Sequence, residues 1–110
     1  MKIDINKLLK EMLKAASGVL KKKWPKAKDY AENEFRKLLT EAQHIAQLKA
    51  DGKITEQEAA YLMDLQRNAS RVVLLAIEGL GILAVEAAIN AALAVVRDTI
   101  NTALGGWKIL

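Results

Sequence analysis

The stretch VVLLAIEGLGILAVEAAINAALAVV, residues 72–96, decides the fold. It is apolar almost all the way round, interrupted by Glu78, Glu86 and Asn90. Such a segment must be covered by the rest of its chain, by a second copy or by lipid, since apolar surface left in water costs about 25 cal/mol per Å². Its only punctuation is Gly79-Leu80-Gly81. The flanking Ile77, Ile82 and Leu83 supply none of the Asn, Asp, Pro or Ser that turns ordinarily use. Two glycines inside a helix weaken it by only about 1 kcal/mol each. These residues favour one continuous, kinked helix over residues 55–104; the alternative is a hairpin split at Gly79–Gly81.

Upstream, Asp51-Gly52 marks a turn, and Thr55 followed by Glu58 forms a capping box that opens the long helix. Downstream, Gly105-Gly106 suits a C-cap and leaves a short tail, residues 105–110. Between them Leu62, Leu65, Ala69, Val72, Ala76, Leu80, Leu83, Ala87, Ala91 and Ala94 recur at helical spacing and predict the packing line. Fifty helical residues make a rod about 75 Å long.

Two amphipathic helices precede the rod. One is expected over residues 4–22, capped by Asp4 or Asn6 and burying Ile5, Leu8, Leu9, Met12, Leu13, Ala16 and Leu20. Trp24-Pro25 ends it. The other is expected over residues 26–49, burying Ala27, Tyr30, Ala31, Phe35, Leu38, Ala42, Ile45 and Ala46. These two helices reach only about 27 and 36 Å, too short to cover the rod. The sequence therefore predicts an all-α, single-domain helical bundle over residues 1–110 that self-associates. Its expected contact residues are Ala76, Leu80, Gly81, Leu83, Ala84, Ala87, Ala88 and Ala91, with a two-fold dimer favoured because one patch serves both copies.

Composition agrees with a helical fold. Apolar residues make up 52% of the chain but aromatics only 5%, so Ala and Leu, the strong helix formers, carry the core. No cysteine is present, which removes disulfides and thiolate chemistry, and the single His44 excludes a multi-histidine metal site within one chain. The opening MKIDINKLLKEM has no apolar signal-peptide core, so a cytoplasmic protein is the default expectation. The net charge of +4 is concentrated in the first half. Its densest cluster is Lys21, Lys22, Lys23, Lys26 and Lys28 around Trp24. That patch suits anionic lipid or an acidic protein partner; nucleic acid is disfavoured, because arginine and any nucleic-acid-binding motif are missing around it.

Three constellations hint at chemistry. Residues 51–58 resemble the second half of an EF-hand calcium loop, with Asp51 and Glu58 at matching positions. The first half departs from that pattern, placing Gln47 and Lys49 where carboxylates belong, and the capping box explains Glu58 unaided. Glu41 and His44 have the Glu-x-x-His spacing of carboxylate-bridged di-iron bundles, for which Glu78 and Glu86 would be the further ligands across subunits. Arg71, Glu78, Glu86, Asn90, Arg97 and Asn101 fall on one stripe of a continuous helix, as a solvated face or as register-setting contacts between copies. No catalytic, metal or cofactor site is assigned. The expected role is a non-enzymatic structural or adaptor module; the alternatives are a membrane-docking helical protein and an inter-subunit carboxylate–metal bundle.

Overall fold

The computed structural model describes residues 3–110; Met1 and Lys2 of the expected domain lie outside the described residues. Four α-helices follow one another: α1 Ile5–Leu20, α2 Trp24–Ala50, α3 Glu56–Leu75 and α4 Ile82–Ala103. A 3₁₀ turn over Lys21–Lys23 joins α1 to α2. No strand occurs among the described residues.

Local chemistry sets most of these boundaries. The Asp4 carboxylate accepts from the Lys7 amide at 3.2 Å and caps α1. Pro25 fits the first turn of α2, where no amide hydrogen is needed, so this helix begins two residues earlier than the sequence suggested. The capping box of α3 is complete: the Glu58 amide donates to Thr55 Oγ1 at 3.1 Å and the Thr55 amide to Glu58 Oε1 at 3.0 Å. α4 ends in the 6→1, 5→2 hydrogen-bond pair of a Schellman motif. The Gly106 amide reaches the Asn101 carbonyl and the Gly105 amide reaches Thr102, with both glycines at positive φ.

The expected continuous helix over residues 55–104 is two helices. Gly79 sits at φ 89°, a conformation that no L residue adopts comfortably, and the extended Gly81 opens α4. The turn lacks the usual polar residues because other groups do their work. Leu80 is buried and plugs the loop into the core, while Lys23 Nζ donates to the Gly79 carbonyl. The longest dimension of the molecule is 44 Å, so a straight 75 Å rod has no place in it.

Each helix runs opposite to the one before. The Lys23–Gly79 bond joins the α1–α2 corner to the α3–α4 loop, and Lys49 Nζ donates to the Leu104 carbonyl at the other end. α4 packs most extensively on α1, α2 bridges α1 and α3, and α3 touches α4 less broadly. Met12, Phe35, Leu38, Leu39, Ile45, Val85, Val96 and Ile100 fill the core, and Ala16, Ala88 and Ala92 let backbones approach closely. The small residues expected between copies are thus partly spent within one chain. No helix among the described residues is long and apolar enough to cross a membrane.

The helical phase also differs from expectation. α3 buries Ala59, Met63, Ser70 and Leu74, whereas Leu65, Ala69, Val72 and Ala76 of the expected packing line face outward. In α4 the buried residues are Val85, Ala88, Ile89, Ala92, Leu93, Val96 and Ile100, while Leu83, Ala87 and Ala94 are exposed. The turn at Gly79 resets the rotation for α4, and within α3 packing against α2 selects the side that carries Met63 and Leu74. Tyr30, expected in the core, is also exposed.

Candidate interaction surfaces

The outer face of α3 carries Tyr61, Leu65 and Val72, which are 64%, 48% and 67% exposed. With Asn68 they follow steps of four and three, the spacing of a coiled-coil seam. They lie opposite the buried Ala59, Met63, Ser70 and Leu74, so α3 is apolar on two sides. On the inner side the Ser70 hydroxyl is fully buried with no hydrogen-bond partner among the described residues.

The residues expected to join copies divide. Leu80 and Ala88 lie in the chain's own core, Ala84 and Ala91 are half-buried, and Ala76, Gly81, Leu83 and Ala87 are exposed. The stripe expected to set register between copies is in part used internally. Arg71 Nη1 on α3 donates to Glu86 Oε1 on α4 at 2.7 Å, and Arg71 Nη2 to Asn68 Oδ1 at 2.9 Å. Asn101 Oδ1 accepts the amides of Ile109 and Leu110, while the Lys108 amide reaches Glu56 Oε2, fastening the C-terminal tail beside the start of α3.

The metal candidates remain apart. His44 Nδ1 lies 3.4 Å from Glu41 Oε1 on exposed α2 surface, Glu78 is exposed in the α3–α4 loop, and Glu86 is bonded to Arg71. Among the described residues no three His, Asp or Glu side chains converge on a common point. Asp51 accepts from Gln47 Nε2, and Glu58 serves the Thr55 cap, so both EF-hand-like residues are engaged locally. A cleft of about 460 Å³ between α2 and α3 is lined by polar groups including Glu34, Lys37, Thr40 and Glu41. Glu34 is buried there and bonded to Lys37 at 3.2 Å; no hydroxyl in this cleft is hydrogen-bonded to a base among the described residues.

The lysine cluster gathers at one end of the bundle. Lys21, Lys22, Lys23, Lys26 and Lys28 are all exposed, and none forms a salt bridge among the described residues. The Lys23–Gly79 hydrogen bond brings the start of α4, with exposed Ile82 and Leu83, to the same end. Sequence reasoning found the lysines but missed this apolar neighbour and the outer seam of α3. Of the seam, Leu65 and Val72 belong to the expected packing line, whereas Tyr61 and Asn68 do not.

No family model matches the chain, and neither a curated protein nor a solved structure matches it.

Proposed function

We propose that this protein is a non-enzymatic helical interaction module that self-associates through the outer face of α3. The observation that carries this reading is the exposed Tyr61, Leu65 and Val72 at seam spacing on a helix whose other side is already packed. Large apolar side chains scattered singly over a surface need no partner, but a line of them along one helix marks an interaction site. A second copy of the chain supplies a matching line. α3 is about 30 Å long, enough for nearly three heptads. Asn68, within the line, is the kind of polar residue that fixes register in paired helices. A two-fold pairing of α3 with α3 satisfies both copies at once. The expected contact set shifts accordingly: Ala76, at the end of α3, is exposed near this surface, while Leu80 and Ala88 are buried in the chain's own core and do not take part.

Sedimentation velocity across a wide concentration range tests the proposal. Wild type is expected to sediment as a dimer, and the Leu65→Glu/Val72→Glu variant as a folded monomer. A monomeric wild type at high micromolar concentration would contradict it, as would a double variant that stays dimeric.

A further inference from the structure

Two segments far apart in the chain meet at one end of the bundle, where Lys23 Nζ donates to the Gly79 carbonyl. Around that bond stand four further exposed lysines, Lys21, Lys22, Lys26 and Lys28, together with Ile82 and Leu83. Leu83 is 83% exposed and Ile82 57%. They belong to the first turn of α4, whose N-terminus is at this end. Helical side chains lean toward the helix N-terminus, so these two lean past the end of the bundle instead of along its flank. We propose that this tip docks on membrane surfaces containing anionic lipid, with Ile82 and Leu83 entering the boundary between headgroups and acyl chains.

The chemistry of the tip selects that partner. An aliphatic pair ringed by lysines matches an interface that is apolar below and negatively charged above, and lysine stems reach the headgroups while their ammonium groups stay in water. The acidic groups near this end are Asp29, Glu78 and Glu86, the last of them bonded to Arg71, and the five lysines outnumber them. Trp24, half-buried beside the same corner, has the ring-plus-N–H character that favours the headgroup level. Nucleic acid would call for aromatic stacking faces or arginine forks in place of the aliphatic pair. The surface is separate from the outer seam of α3, and it stands whether or not the chain dimerises.

Flotation with phosphatidylcholine vesicles, with and without phosphatidylserine, tests the proposal on the full chain. Wild type is expected to float with the phosphatidylserine vesicles and to stay behind with phosphatidylcholine alone. Each lysine among Lys21, Lys22 and Lys26 replaced by Gln is expected to weaken binding about fivefold. Ile82→Ser/Leu83→Ser is expected to weaken it at least tenfold at unchanged charge, with helicity by circular dichroism intact because both side chains are exposed. Leu83→Trp supplies the opposite sign: tighter binding, with a blue-shifted emission on vesicle addition. Failure to float with anionic vesicles overturns the proposal. So does binding that is indifferent to both Leu83 substitutions, or a preference for an RNA oligonucleotide over vesicles.

Discussion

Arg71 Nη1 donates to Glu86 Oε1 at 2.7 Å, joining α3 to α4 across the turn at Gly79. In a continuous helix these residues would stand fifteen positions apart along one face, about 22 Å from each other. The bond therefore belongs to the hairpin alone. Both side chains are 39% exposed, so its strength is that of a solvent-screened pair.

Replacing Arg71 with Ala is accordingly expected to lower stability by less than about 1 kcal/mol. The reversal Arg71→Glu should cost more, and the double reversal Arg71→Glu/Glu86→Arg should restore most of the loss. Urea denaturation of wild type, Arg71→Glu, Glu86→Arg and the double reversal gives the coupling directly. A coupling of zero would mean that the two groups do not meet.

The turn makes a prediction whose sign separates the two topologies. In a continuous helix, Gly79→Ala and Gly81→Ala would each stabilise by about 1 kcal/mol. In the hairpin, Gly79 lies at φ 89° and Ala there should destabilise by about 1–2 kcal/mol, although open space surrounds the new methyl. Gly81 lies at φ −86°, also in open space, and Ala there should be neutral or mildly stabilising. Denaturation midpoints for the two single variants provide the comparison.

Within the core, Phe35 is fully buried and its truncation to Ala should cost about 3–5 kcal/mol, enough to unfold much of the population. Ser70 is buried equally deeply, but its hydroxyl has no partner among the described residues. Ser70→Ala removes a desolvated polar group and should raise stability by about 1 kcal/mol. Thermal melts of both variants check these opposite signs.

The C-terminal tail depends on Lys49. Its ammonium donates to the Leu104 carbonyl and stands 4.6 Å from the centre of the Trp107 ring. Lys49→Met should cost about 1 kcal/mol and loosen the tail. In a Trp24→Phe background, where Trp107 alone emits, the expected result is red-shifted fluorescence with increased quenching by iodide.

Much of the fold was legible because its signals are local. The helical class follows from the Ala and Leu content. Thr55 with Glu58, Asp4, and Gly105-Gly106 announce their caps within a few residues of each boundary. The hairpin was not legible in the same way. Its stabilisers are the burial of Leu80 and a hydrogen bond from Lys23, fifty-six positions before Gly79, and neither can be seen in the turn itself. The facing of α3 was ambiguous for a different reason. Met63 and Leu74 compete with Leu65 and Val72 for the interior, and only packing against α2 decides between the two sides. Likewise the lysine cluster stands out in the sequence, but Ile82 and Leu83 become its neighbours only once the chain doubles back.

The most direct measurement of the central claim uses the absence of cysteine from the chain. A single spin label on Val72→Cys has no partner within its own molecule. Pairing through the outer face of α3 predicts dipolar coupling between labels on two copies, lost on dilution with unlabelled protein, while a label on Lys10→Cys shows far weaker coupling. Absence of coupling at Val72, or stronger coupling at Lys10, would contradict self-association through this surface.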